Sequence, residues 1–97
     1  MSSYRYSSGA NLDIEEITFY LFGLNPAAAY NFLDALESAC ELLAEHPGIG
    51  RFRSEFVENL RSFPVGNYLV FYTPAQHGID VVRVIYGGRD LPAQFSS

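Results

Sequence analysis

The sequence predicts a single α+β domain over residues 1–97, in which two helices pack on one sheet that follows them in the chain. Three observations carry this expectation. Two adjacent segments between positions 11 and 45 place apolar residues at helical spacing. Beyond position 59 the pattern changes to short β-branched and aromatic runs separated by glycine and proline. Finally, 97 residues that are 48% hydrophobic and 15% aromatic suffice for one core and leave no length for a second.

In chain order, Tyr4-Arg5-Tyr6-Ser7 has a period of two with a Ser-Gly break behind it, which predicts a short N-terminal strand. Ser8 and Asn11 are both suitable N-caps for a first helix. In it Ile14, Ile17 and Leu21 share a face, and Asp13, Glu15 and Glu16 lie near the positive end of the helix dipole. Gly23 is expected to stop it. Asn25-Pro26 then restarts the chain as cap and first helical residue. In the second helix Ala29, Phe32, Leu33, Leu36, Cys40 and Leu43 make an apolar stripe that ends at His46-Pro47-Gly48. A helical hairpin joined by two or three residues results, and it needs a sheet to cover. Leu60–Phe63, Tyr68–Tyr72 and Ile79–Tyr86 supply one as a three-stranded antiparallel meander, separated by Pro64-Val-Gly-Asn and Pro74-Ala-Gln-His-Gly. The last two strands are apolar on both faces, so something besides the helices must cover the second face.

Charge is distributed unevenly. Residues 1–47 carry Arg5 against Asp13, Glu15, Glu16, Asp34, Glu37, Glu41 and Glu45, a net of −6, whereas residues 48–97 carry five arginines against Glu55, Glu58, Asp80 and Asp90, a net of +1. Every basic residue is arginine, which favours fixed, forked pairing over mobile point charges. The net charge of −5 argues against a protein that coats nucleic acid or reads it by sequence. No apolar run reaches the length of a membrane span or a signal peptide, which predicts a cytoplasmic protein. A lone cysteine, Cys40, fits a reducing compartment and a small core position.

The order strand, helical hairpin, arginine-bearing loop and meander resembles the RelE/ParE toxin superfamily, and local motifs narrow the resemblance to the ParE branch. Ala10-x-x-Asp13-Ile14-x-Glu16-Ile17-x-x-Tyr20-Leu21 is similar to the first-helix pattern of that family. Glu45 to Arg51, Leu60 to Tyr72 and Val82-Arg83-Val84-Ile85-Tyr86-Gly87-Gly88-Arg89-Asp90-Leu91 are similar to the rest, so nearly the whole chain is covered. The resemblance implies the toxin of a type II toxin-antitoxin system, with DNA gyrase as target. It also implies a ParD-like antitoxin that neutralises the toxin in a hetero-oligomer.

RelE-branch relatives instead cut messenger RNA on the ribosome. Such chemistry needs a group to take the 2′-hydroxyl proton, one to protonate the leaving oxygen, and cations to stabilise the charge between them. Here there is no lysine, Val57, Asn59 and Tyr68 stand where that branch tends to be basic, and the late aromatic is Phe95. Arginines alone make a poor acid–base set because their pKa is far above working pH. No catalytic residue is therefore assigned, although Tyr86, where histidine is common in ParE-like chains, retains an ionisable hydroxyl. A ribosome-dependent nuclease and a decayed, non-toxic antitoxin-binding module remain the alternatives. His46 and His77 lie far apart without carboxylates at ligand spacing, so neither a metal nor another cofactor is expected. Gly48-Ile-Gly-Arg lacks the lysine and the following helix of a phosphate loop.

What remains is a binding surface for antitoxin or target, formed by Arg61, Tyr68, Tyr72, Arg83, Tyr86 and Arg89. Arg83 alternates with Val81 and Ile85, so it projects from an apolar face and needs either a helix carboxylate or a partner. Arg61 and Arg89, near strand ends, are expected to converge with it. Arg51 and Arg53 read as solvated loop residues. The aromatics Phe63, Tyr68, Phe71, Tyr72 and Tyr86 exceed what one small core face holds, which leaves some for a partner.

Overall fold

Strand β1 (Ser3–Tyr6) opens the chain with alternate residues half-buried, continuing the period of two. The computed structural model describes residues 2–88 together with Leu91 and Phe95. Helix α1 (Ser8–Leu24) is capped by Ser7, rather than by Ser8 or Asn11. The Ser7 hydroxyl accepts from Ala10 N at 3.0 Å and donates to the Val82 carbonyl at 2.7 Å. That second, long-range bond selects this serine, and local preference could not reveal it.

Gly23 does not end α1, which runs one residue further to Leu24. The break falls at Asn25, whose backbone is extended (φ −165°, ψ 116°) because a following proline disfavours the helical region. Asn25 therefore serves both helices: its N–H bonds the Leu21 carbonyl, and its Oδ1 accepts from Ala27 N at 3.0 Å. One residue joins the helices instead of the expected two or three. Helix α2 (Pro26–Glu45) buries Ala29, Phe32, Leu36, Ala39, Cys40, Leu43 and Ala44, which is the predicted stripe extended by small residues. A single 3-10 turn, Pro47–Ile49, leads out of it.

The sheet has five strands in the order β1-β5-β4-β3-β2. Strand β3 (Arg61–Val65), β4 (Tyr68–Ala75) and β5 (Gly78–Tyr86) form the antiparallel meander. β1 pairs parallel to β5 at one edge, and a two-residue β2 (Arg51–Phe52) pairs with β3 at the other. Gly66, at φ +59°, makes the two-residue turn between β3 and β4. Pro64 and Pro74 lie inside β3 and β4, not in the loops. Each sits past the last pairing on one side of its strand, where no partner asks for the missing N–H.

The hairpin and the sheet enclose the main core, where Phe32, Leu36, Cys40 and Leu43 meet Val70, Tyr72, Ile79, Val81 and Val84. Each fully buried leucine here contributes about 1.5–3 kcal/mol. Contrary to the expectation of one core, the second face of the sheet has its own small core of Leu60, Phe71 and Ile85, covered by Phe56, Leu91 and Phe95. The Phe95 ring stacks on Phe56 at 5.2 Å and meets Phe71 edge-on at 4.8 Å. Cys40 is fully buried, and burial raises its thiol pKa, opposed by a 3.7 Å contact with the Tyr6 hydroxyl. It is a core residue.

One irregularity matters for the site. Phe71 pairs with Arg83 but Tyr72 with Val81, so Val82 is an extra residue on β5. The bulge breaks the expected alternation: Val81 belongs to the helix-side core and Ile85 to the opposite one.

Candidate functional site

Arg83 follows the bulge and lies beyond the last β1–β5 pair, at Val81, so its side chain has room to reach α1. Asp13 meets it there. Arg83 Nε donates to Asp13 Oδ2 at 2.6 Å and Nη2 to Oδ1 at 2.9 Å, a two-pronged pair in which Oδ2 also accepts from Val84 N at 2.9 Å. The carboxylate raises the Arg83 pKa further above its ordinary value, against the opposing effect of burial. The pair clamps the first helix to β5, and the helix-carboxylate account of Arg83 holds.

Beside this clamp opens a cleft of about 390 Å³ between α1 and the adjoining ends of β4 and β5. Glu16, Ile17 and Tyr20 line it from the helix, with Tyr68 and Tyr86 facing from the sheet. Tyr68 and Tyr86 are cross-strand partners with rings 5.9 Å apart, and Tyr68 also packs on Phe32 at 5.1 Å. Tyr86 is 48% exposed and Tyr20 is 60% exposed, so the cleft presents aromatic faces to solvent. Rings of this kind, amphipathic and low in conformational entropy, suit a protein partner.

A second tyrosine–arginine cluster lies across the sheet. The Tyr72 hydroxyl donates to the Pro47 carbonyl at 2.7 Å and accepts from Gly50 N at 2.9 Å. Arg61, its cross-strand neighbour, donates to the Gly50 carbonyl at 2.8 Å and the Gly48 carbonyl at 3.2 Å, while its guanidinium lies 4.3 Å over the Phe52 ring. Gly50 must be glycine, because a Cβ there would overlap the Tyr72 hydroxyl. Burial raises the Tyr72 pKa, with the Gly50 hydrogen bond and the Arg61 charge opposing it. These groups fasten the turn after α2 to the sheet.

The six residues read from sequence thus divide. Tyr68, Arg83 and Tyr86 come together at the cleft. Tyr72 is 0% exposed and has no surface to offer a partner, and Arg61 bonds backbone carbonyls of its own chain, so neither joins Arg83. Arg89 lies outside the described residues. Arg53 also turns inward, its Nε donating to buried Ser62 Oγ at 2.9 Å, whereas Arg51 is exposed as expected. Sequence reasoning did not include Asp13, Glu16 and Tyr20 in the site. Their i, i+3, i+7 spacing places them on one helix face, and that was the available signal.

His77 Nε2 sits 2.8 Å from Asp80 Oδ1 in the β4–β5 turn, and His46 is the C-cap of α2. Among the described residues no cluster of three or more histidine, cysteine or acidic side chains is arranged to hold a metal, and no helix is long and apolar enough to cross a membrane.

Comparison with known proteins agrees with this fold. Residues 4–91 match the family model described as the ParE toxin of the type II toxin-antitoxin system parDE. Toxin ParE1 of Caulobacter vibrioides is 30% identical over 89 residues, covering 89% of this chain and 90% of that protein. The solved structure titled as the chromosomal ParDE TA system from P. aeruginosa superposes with a TM-score of 0.72. It shares 17% identity over 89% of this chain and 96% of the other, a likeness of fold.

Proposed function

Because the chain belongs to the ParE toxin family of type II toxin-antitoxin systems, we propose that it acts in the cytoplasm by binding DNA gyrase, without catalysis, and is held inactive by a ParD-like antitoxin. The observation that supports a binding mode is the state of the cleft. Its arginine is already held by Asp13 in two directions, so what faces solvent is a set of tyrosine rings rather than cations poised for a phosphorane. Phe95, the late aromatic, packs in the second core and carries no hydroxyl to ionise. Tyr20, Tyr68 and Tyr86 are the proposed contact rings, with Arg83 positioning the wall behind them.

The test is a supercoiling assay with purified chain and gyrase. Inhibition that rises with toxin concentration, together with a DNA-damage response on unopposed expression, is the expected result. Unchanged supercoiling with codon-positioned mRNA cuts on ribosomes would replace this reading by the nuclease one. No effect on growth at all would make the chain a non-toxic antitoxin-binding module.

A further inference from the structure

The cleft beside the Asp13–Arg83 clamp holds a charge that the clamp does not absorb. Among the described residues lining it, the formal charges are the carboxylates of Asp13 and Glu16 and the guanidinium of Arg83, a net of −1. Asp13 is committed to Arg83 by both of its oxygens. The arginine is built in as well: a Cβ on Gly9 would come within 3.3 Å of Arg83 Cδ, so glycine lets the stem lie close against the first turn of α1.

Glu16 has no comparable partner. Its charge acts on Arg83 through space, adding to the rise in the Arg83 pKa, and among the described residues it makes no hydrogen bond or ion pair. Exposed carboxylates of this kind are ordinary on a surface. What sets Glu16 apart is its company: Tyr20 follows it at i+4 on the same helix face, and Tyr68 and Tyr86 stand opposite with their rings at 74° to each other.

Tyrosine faces are the negative ends of a quadrupole and attract a cation within about 6 Å of the ring. A carboxylate set among three such rings is the chemistry that recognises an organic cation. A phosphate would meet the net negative charge, and an apolar side chain would take Glu16 out of water with nothing to pair it. Within cations the rings favour guanidinium, which is planar, stacks on aromatic faces, is more weakly hydrated than an ammonium and offers a carboxylate two parallel donors. The volume of about 390 Å³ leaves room for its stem.

We infer that the cleft takes an arginine side chain of the target protein, with its guanidinium on the tyrosine faces and paired with Glu16. This inference rests on the proposed function for the place of contact, the tyrosine cleft, and adds the group that fills it; it does not require the target to be gyrase. Glu16 thereby becomes the specificity-determining residue, and Arg83 the fixed wall behind the incoming side chain.

The experiment titrates Nα-acetyl-argininamide into the full chain and follows the tyrosine ring signals by NMR. Nα-acetyl-citrullinamide, of the same shape without the charge, and Nα-acetyl-lysinamide are the comparison probes. Saturable shifts of Tyr20 and Tyr86 with the arginine probe are expected, weaker ones with the lysine probe and none with citrulline. Glu16→Gln is expected to weaken arginine binding about tenfold and Tyr20→Leu about threefold to tenfold, whereas Glu15→Gln, which changes the net charge equally from outside the cleft, leaves it unchanged. Each variant is first shown to melt like wild type, and Glu16→Gln is then expected to lose growth arrest on unopposed expression. Equal binding of arginine and citrulline, binding of neither, or equal loss in Glu16→Gln and Glu15→Gln would overturn the inference. Full growth arrest by Glu16→Gln would also overturn it, because the cation site would then belong to some contact other than the target. If arginine binds through Glu16 and arrest depends on it while gyrase supercoiling is untouched, the gyrase reading fails and this inference stands. If gyrase is inhibited equally by wild type and Glu16→Gln, the gyrase reading stands and this inference fails.

Discussion

Tyrosine meets arginine at two places in this molecule, and the two places have opposite fates. At the end of α2, Tyr72 and Arg61 turn every polar atom they use toward Pro47, Gly48 and Gly50, and Tyr72 is wholly buried. At the start of α1, Arg83 is likewise satisfied by its own chain, yet the tyrosines around it remain in water. An arginine's presence therefore says little about a site until its partners are known. The discriminating observation is which aromatic surface is left over once the internal hydrogen bonds are made.

This contrast predicts where substitutions act. The largest effect belongs to the buried cluster: Tyr72→Ala removes a core ring and both hydrogen bonds, and is expected to cost about 3–5 kcal/mol in denaturant unfolding. Asp13→Asn comes next, since it leaves Arg83 with half a partner and Val84 N with a weaker acceptor. About 2–3 kcal/mol is expected, tempered by the partial exposure of the pair. Tyr72→Phe keeps the ring and strands only the Gly50 N–H and Pro47 carbonyl, at about 1–3 kcal/mol; a neutral result would mean that the turn rearranges freely.

An alkaline effect follows from the same burial. The Cys40 thiol and the Tyr6 and Tyr72 phenols all have folded pKa values raised above their ordinary 9.0 and 10.0, so the unfolded chain loses these protons first. Their contribution to stability is full below about pH 9 and is lost as pH climbs through and above those ordinary values. A chemical-denaturation series from pH 7 to 11 checks this, and Tyr72→Phe should flatten part of the fall. The smallest effect on stability belongs to the cleft: Tyr20→Ala is expected to move it by no more than about 0.5 kcal/mol while weakening target inhibition.

Much of this architecture was legible in the sequence. The α2 stripe from Ala29 to Leu43, the Asn25-Pro26 restart and the three meander strands follow from period and capping chemistry. What was not legible depends on distant partners. Ser7 becomes the cap of α1 through its bond to Val82, β2 is two exposed residues held by β3, and Pro64 and Pro74 are admitted to strands by free edges. The same holds for the site. Tyr68 and Tyr86 face each other across one strand pair, a proximity that strand patterning can anticipate, whereas Tyr72 and Arg61 are drawn inward by Pro47, Gly48 and Gly50, which return to them from a loop. The bulge at Val82 hid the separation of Val81 from Ile85, which a strict alternation puts on one face.

The central claim, that the tyrosine cleft binds and does not catalyse, is tested most directly by growth arrest on unopposed expression of Tyr86→Phe and Tyr86→Ala, each checked for a native melt. Tyr86→Phe keeps the ring against Tyr68 and is predicted to arrest growth like wild type, while folded Tyr86→Ala loses toxicity. Arrest abolished by the loss of the hydroxyl alone would contradict the account and make Tyr86 an acid–base group.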